Sequence, residues 1–335
     1  MKVLLTGGAG YIGSHTGALL LNKGYEIVIV DNLSNSSERC IDRICAVTGK
    51  NLTFYQEDCT DKVSLKKIFL SEKPDAVIHF AGYKAVGESV KEPLKYYENN
   101  VGSTMAVIEA LRAAKVKVLV FSSSATVYKL TGKMPLYEDC ETYPYNPYGW
   151  TKFISERIIE DEAKANSDFS AVNLRYFNPV GAHPSGMMGE NPRGIPNNLM
   201  PYITQVALKK RDKLHVFGAD YPTSDGTGVR DYIHIQDLAE GHLAALEYAF
   251  SSNGCDAFNI GTGKGTSVLE LVNAFQRSTG AEIPYDIVDR RPGDLALYYA
   301  DASKAKRVLG WEAKRSIEDM CQDAWNWQRN NPNGY

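Results

Sequence analysis

Tyr148 is followed four residues later by Lys152, and the segment around them opens with Asn146-Pro147. Asn satisfies the free N–H groups of a helix start and Pro fits its first turn, so a helix is predicted there, with Tyr148 and Lys152 one above the other on one face. A phenol and an ammonium held together can do acid–base chemistry. A free phenol titrates near pH 10, so making it a base near neutrality takes about 3 pH units, or roughly 4 kcal/mol, from nearby positive charge. Lys152 is one source of that charge. At about 100° per residue, Trp150, Phe153, Ile154 and Ile158 fall on the other side and are expected to form the core stripe, with the pair facing away from the packing. An isolated Tyr-x-x-x-Lys is also what a surface tyrosine beside a solvated lysine looks like, so the reading depends on what lies upstream.

Upstream, Lys2 to Thr6 reads as a strand, Gly7 to Gly13 as Gly-Gly-Ala-Gly-Tyr-Ile-Gly, and Ser14 to Lys23 as an amphipathic helix. Gly7, Gly10 and Gly13 allow a tight turn, close backbone approach to a pyrophosphate and close helix packing, while the helix start offers free N–H groups and partial positive charge. In that context the glycines point to a dinucleotide. Asp31 ends the next predicted strand, 18 residues beyond Gly13. A carboxylate there accepts from an adenosine ribose and repels a 2′-phosphate, which favours NAD over NADP. Asp58 is expected at the end of the third strand, within reach of an adenine amine, or in the loop that follows as an ordinary loop aspartate. With a nicotinamide present, Tyr148 and Lys152 become groups that move a proton while a hydride moves, and the oxidised ring is a second source of positive charge. Ser122-Ser123-Ser124 follows the run Val118 to Phe121 at the carboxyl end of a strand, where Ser124 could hydrogen-bond the reacting oxygen.

These residues must be held by a sheet. Short apolar runs at Val3 to Thr6, Ile27 to Val30, Leu52 to Tyr55, Ala76 to Phe80, Val118 to Phe121 and Ala171 to Leu174 alternate with helix-length segments. Strands apolar throughout are buried on both faces, so the expected class is α/β, a Rossmann-type doubly wound parallel sheet. After about residue 177 the chain turns to loops rich in Pro, Gly and Asn and then to mixed short elements. The expected division is a coenzyme-binding domain over 1–177 and a smaller mixed α/β substrate domain over 178–335. Segments near 230–262, with strand-like Asp256 to Ile260, are expected to return to the first sheet.

The chain has 335 residues and a formal charge of −3. That charge gives no support to a nucleic-acid or anionic-membrane partner. Six cysteines are scattered without a Cys-x-x-Cys pair, and read as reduced thiols rather than as a metal site or a disulfide framework. The glycines at 7, 8, 10 and 13 interrupt the first apolar run before it could serve as a signal core, and no stretch approaches the roughly 20 apolar residues of a membrane helix. A cytoplasmic location is expected.

Thr6-Gly-Gly-Ala-Gly-Tyr-Ile-Gly13, Ser122-Ser-Ser124 and Tyr148-Gly-Trp-Thr-Lys152 resemble the extended short-chain dehydrogenase/reductase family. Phe80-Ala-Gly-Tyr-Lys-Ala-Val-Gly-Glu-Ser89, Arg175-Tyr-Phe-Asn-Pro-Val-Gly-Ala-His-Pro184, Asn197-Asn-Leu-Met-Pro201, Gly228-Val-Arg-Asp-Tyr-Ile-His234 and Arg291-Pro-Gly-Asp294 are more specific, and resemble the nucleotide-sugar epimerases of that family from end to end. The resemblance implies that Gly7, Gly10, Tyr11, Ile12, Gly13, Asp31, Asn32, Asp58, Cys59, Phe80, Ala81, Lys84, Asn99, Ser122, Tyr148, Lys152 and Tyr176 surround NAD. It implies that Ser124, Tyr148, Asn178, Asn198, Leu199, Phe217, Arg230, Arg291, Asp294 and Tyr298 hold a UDP-sugar, with Tyr148, Lys152 and Ser124 catalytic. UDP-galactose and UDP-glucose are the implied pair, because a large residue at Tyr298 narrows the sugar pocket where a small one admits an N-acetyl group. A homodimer is implied as well. Arg230 and Arg291 could clamp a diphosphate with charge-assisted bonds, or serve only as surface salt bridges.

The chain departs from the family pattern at Lys129, where glycine usually follows Val-Tyr, and at Cys59, where an aliphatic residue is common. A glycine-like backbone at Lys129 would cost on the order of 1 kcal/mol. Two other readings keep part of the evidence. A 4,6-dehydratase or decarboxylase needs an added acid and base, and such relatives carry Asp or Glu beside the serine, where this chain has Ala125. A non-enzymatic NAD-binding sensor would keep the glycine loop and lose the tyrosine and lysine.

Overall fold

The computed structural model describes residues 1–196, 198–291 and 294–335. Strands β1 (Lys2–Thr6), β2 (Glu26–Val30), β3 (Thr53–Tyr55), β4 (Ala76–His79), β5 (Val118–Ser122) and β6 (Ser170–Tyr176) alternate with helices through the first half. The second half adds β7 (Asn178–Val180), β8 (Leu214–Phe217), β9 (Val229–Arg230), β10 (Tyr232–His234), β11 (Gly254–Ile260), β12 (Thr266–Ser267), β13 (Tyr285–Val288) and β14 (Leu297–Tyr298). Seven strands form one sheet in the order β11-β6-β5-β4-β1-β2-β3, parallel throughout.

The continuous apolar runs are explained by the two cores they separate. In β2, Ile27 and Ile29 face a cluster shared with Leu20, Leu21, Leu238 and Leu246, whereas Val28 and Val30 face one shared with Leu65, Phe69 and Leu111. The helices Tyr11–Asn22 and Ile235–Ser251 therefore cover one face, and Lys62–Glu72 and Gly102–Ala114 the other. Each such fully buried aliphatic side chain contributes roughly 1.5–3 kcal/mol, and it is this two-sided burial that holds the strand ends rigid.

A separate core joins Val180, Ile203, Val216, Leu271, Phe275 and Met320, beneath the small sheets β13-β8 and β10-β7. Its helices are firmly started, since Ser267 with Glu270, and Ser316 with Asp319, form reciprocal capping boxes. The chain is thus α/β, with a doubly wound parallel sheet and a smaller mixed α/β region toward its C-terminus. Within the second half, β11 pairs along its full length with β6, and Ile233, Ile235 and Leu238 pack in the first core. No described helix is long and apolar enough to cross a membrane.

Lys129 does not take the glycine-like backbone: it is not among the residues of positive φ. Its N–H donates to the Glu141 carbonyl at 2.9 Å and its ammonium reaches both Glu141 carboxylate oxygens at 2.8 and 2.9 Å. An extended pairing replaces the tight turn, so no strain arises there.

Candidate active site

The sheet order reverses at β1, which lies between β4 and β2, and a cleft opens there at the carboxyl ends of the strands. Gly7, at φ +70°, donates to the Val30 carbonyl at 2.8 Å. A Cβ on Gly7 would stand 2.6 Å from the Ala81 nitrogen, and one on Gly13 2.6 Å from the Gly7 carbonyl oxygen. Both are backbone clashes that no side-chain movement relieves, so the loop closes onto the helix Tyr11–Asn22 and the end of β4 only as glycine. The Asp31 carboxylate accepts from Ala9 N at 3.0 Å, from Leu33 N at 2.9 Å and from the Ser36 hydroxyl at 2.9 Å, which fixes the loop after β2 beside the glycines.

Every residue expected around the coenzyme lines this one cavity of about 660 Å³, inside the usual range for ligand sites. Gly7, Gly10, Tyr11, Ile12 and Gly13 come from the loop and helix start, Asp31 and Asn32 from the end of β2, and Asp58 and Cys59 from the segment after β3. Phe80, Ala81 and Lys84 follow β4, Asn99 lies in the turn Tyr97–Val101, Ser122 ends β5, Tyr176 ends β6, and Tyr148 and Lys152 come from the helix Pro147–Ala165. A cradle of glycines at a helix start with a buried carboxylate beyond it fits a dinucleotide. Of the two placements open to Asp58, the structure has the loop one: β3 ends at Tyr55 and Asp58 lies in the following turn, accepting from Asn32 Nδ2 at 2.9 Å and Thr60 N at 2.8 Å.

The helix bearing Tyr148 starts as the sequence requires, with Pro147 in its first turn and the Asn146 side chain accepting from Gly149 N at 2.8 Å. Its orientation is the reverse of the expected one. Tyr148, Thr151, Lys152, Ser155, Glu156 and Ile159 are buried, whereas Trp150, Phe153, Ile154 and Ile158 are half-buried. A polar stripe faces inward because Thr151, Lys152, Ser155 and Glu156 each find a partner. Glu156 accepts from Arg175 Nη2 at 2.7 Å and from the Ser123 hydroxyl at 2.5 Å; Ser155 bonds Thr104 at 2.9 Å; and Asn100 Nδ2 donates to Thr151 at 3.0 Å.

Lys152 Nζ donates to the Ser122 carbonyl at 2.8 Å and lies 4.8 Å from the centre of the Phe121 ring. Burial pushes its ammonium down to about 8, with the Glu156 carboxylate working against that shift. Burial also pushes the Tyr148 phenol above its ordinary value, and the Ser124 hydroxyl opposes this. Burial thus makes ionising Tyr148 costlier than ionising a free tyrosine, and an ammonium at about 8 still carries most of its charge at neutral pH. Ser124 caps the turn Ala125–Val127 by accepting from Thr126 N at 3.2 Å.

The residues expected to hold the substrate are divided. Asn198 lines the cavity and donates to Glu190 at 2.8 Å, with Leu199 opening the helix that follows. Asn178 opens β7, its N–H donating to the Asp231 carbonyl. Phe217, Arg230, Arg291 and Asp294 form a second cluster outside the coenzyme cavity: Arg291 lies 4.4 Å over the Phe217 ring, and both arginines reach Asp294, at 3.4 and 3.3 Å. Arg230 also donates to the Leu295 carbonyl at 2.8 Å. Tyr298, on β14, donates to the carbonyl of Ala125, the residue after Ser124, at 2.5 Å and packs 5.4 Å from Phe177. The motif residues Asn197, Pro292 and Gly293 lie outside the described residues. Sequence reasoning missed Glu190, which also pairs with Lys84 at 2.9 Å, and Arg193. Neither sits in a periodic element or a motif that could have drawn attention to it.

The family model described as GDP-mannose 4,6 dehydratase matches residues 4–324. UDP-glucose 4-epimerase from Bacillus subtilis (strain 168) is 58% identical over 335 residues, covering 100% of this chain and 99% of that one. The crystal structure of UDP-glucose-4-epimerase from Stenotrophomonas maltophila with bound NAD and formylated UDP-arabinopyranose superposes with a TM-score of 0.97 at 48% identity, over 99% of each chain. That of UDP-glucose 4-epimerase from Bifidobacterium longum in complex with NAD+ and UDP does so with a TM-score of 0.96 at 48% identity, over 100% of each. The dehydratase description covers a broad family, and Ala125, 2% exposed beneath Tyr298, leaves no acid beside Ser124. On the strength of these full-length matches, the chain belongs to the UDP-glucose 4-epimerase family.

Proposed function

We propose that the chain interconverts UDP-galactose and UDP-glucose with NAD as a coenzyme that stays bound, as an isomerase of galactose metabolism. The observation that carries this reading is the convergence of the glycine loop, Asp31, Tyr148 and Lys152 on one cavity. When bound, NAD supplies the acceptor and then the donor of a hydride at sugar C4, so that the sugar passes through a 4-keto form, turns, and is reduced on its other face. The chain's own residues do the rest. Tyr148 takes the proton of the 4-hydroxyl and returns it after the turn; Ser124 hydrogen-bonds the same oxygen; Lys152, anchored on the Ser122 carbonyl, holds positive charge beside them. Gly7, Gly10 and Gly13 present the pyrophosphate site, and Asp31 the ribose site. Arg230 and Arg291 exchange part of their hold on Asp294 for the diphosphate, which keeps the oxidised sugar in place while it turns.

The division into a coenzyme-binding part over 1–177, with returning segments near 230–262, and a UDP-sugar-binding part over 178–335 is supported by the separate cores. A homodimer is supported by apolar side chains left at the surface near the catalytic helix: Leu94 is 72% and Met105 42% exposed, and Trp150 and Phe153 stay half-buried. A cytoplasmic location agrees with six unpaired cysteines. The test is Tyr148→Phe, which should abolish turnover of UDP-galactose while NAD still copurifies; unchanged turnover would dismiss Tyr148 as the base.

A further inference from the structure

Arg193 has no carboxylate within salt-bridge reach among the described residues, yet its guanidinium is fully engaged. Nη1 donates to the Ser34 carbonyl at 2.9 Å, and Nη2 to the carbonyls of Leu33 at 2.9 Å and Ser36 at 2.8 Å. All three acceptors belong to the loop that Asp31 shapes through Leu33 N and Ser36 Oγ, in which Leu33 sits at φ +58°. A planar fork with several donors suits this task, for which a single ammonium does not.

The segment that carries Arg193 is tied at its other end. Trp327 Nε1 donates to the Glu190 carbonyl at 3.1 Å, Gly189 N donates to the Tyr335 hydroxyl at 3.2 Å, and a Cβ on Gly189 would stand 2.3 Å from Trp327. Residues 189–196 thus run as a strap from the C-terminal helix across to the loop after β2. Both segments line the coenzyme cavity, the strap through Glu190, Arg193 and Ile195, and the loop through Ser34 and Ser36. The bracketed loop is the one tied to Asp31, the carboxylate that the functional reading assigns to the adenosine ribose.

We infer that Arg193 is a coenzyme-retaining residue, which by bracketing the Leu33–Ser36 carbonyls latches the strap 189–196 over the adenosine half of bound NAD. The inference rests on the functional reading above: an enzyme that must return a hydride to the sugar it came from needs a coenzyme that does not leave between half-reactions. Opening the latch requires breaking three charge-assisted bonds together, so it bears on release more than on entry.

Wild type, Arg193→Ala and Arg193→Lys are purified alike, and NAD released into NAD-free buffer is trapped as NADH by a coupled alcohol dehydrogenase. Arg193→Ala should release NAD about tenfold faster or more, equivalent to about 1.4 kcal/mol, and carry less NAD on purification. Arg193→Lys, which reaches fewer carbonyls, should fall between the two. Release from Arg193→Ala within about twofold of wild type would overturn the inference. A wild-type protein that carries and binds no NAD would overturn the functional reading instead, so the two failures are separable.

Discussion

The cavity proposed for the coenzyme and the cluster proposed for the UDP-sugar are built differently. The first hangs from consecutive strand ends of one sheet, β1 to β6, so each side chain inherits its place from a backbone buried on both faces. The second gathers Phe217, Arg230, Arg291 and Asp294 from β8, β9 and loops, and its charges spend part of their bonding on each other. A site on sheet ends is formed before its ligand arrives. A site of arginines paired to an aspartate has to exchange partners when an anion binds, so the two regions should respond differently to mutation.

The largest effect is expected in the first region. Tyr148→Phe removes the proton-transferring group and should lower kcat by about 10²–10⁴-fold, with bound NAD unchanged by absorbance. Lys152→Met should fall in the same range, and a purely binding defect, with kcat intact, would break the assignment. In the second region Arg230→Ala should act mainly on KM for UDP-galactose, raising it roughly 10- to 100-fold through the loss of charge-assisted bonds worth about 1.5–3 kcal/mol. A loss confined to kcat would erase the contrast between the regions.

A smaller effect concerns the sheet itself. Burial holds His15 and His79 at about 3 and His242 at about 4, well below the unfolded value of about 6.5. Between those values the unfolded chain binds more protons than the folded one, so stability falls as the pH drops from about 6.5 toward 4. Each histidine should cost about 1 kcal/mol by pH 5.5. Urea midpoints at pH 7.5 and 5.5 measure the drop, and His79→Gln should make it shallower. The smallest effect is one of selectivity: Tyr298→Ser, which removes the ring over Phe177, should raise turnover of UDP-N-acetylgalactosamine relative to UDP-galactose. Comparable turnover of both by the wild type would overturn the stated preference.

The same difference governs what could be read in advance. The glycine loop and Asp31 are legible because each function occupies a short contiguous stretch at a strand end, and apolar runs mark the strands. The catalytic helix was legible at its start, through Asn146 and Pro147, but not in its facing. Hydrophobic periodicity finds the greasiest side, and here that side stays half-exposed while Lys152, Ser155 and Glu156 turn inward to partners supplied by Arg175, Ser123, Thr104 and Ser122. Those partners are 19 to 51 residues away in the chain, and no local pattern reports them. Arg193 escaped for the same reason, since its acceptors are backbone carbonyls, which any sequence provides.

The most direct measurement is to incubate the purified protein with UDP-galactose and no added NAD, following UDP-glucose by chromatography and NADH by absorbance. UDP-glucose should accumulate to equilibrium with no net NADH. Conversion that stops without added NAD although NAD is bound, or that releases NADH in proportion to sugar oxidised, would contradict a retained coenzyme that takes and returns one hydride over Tyr148.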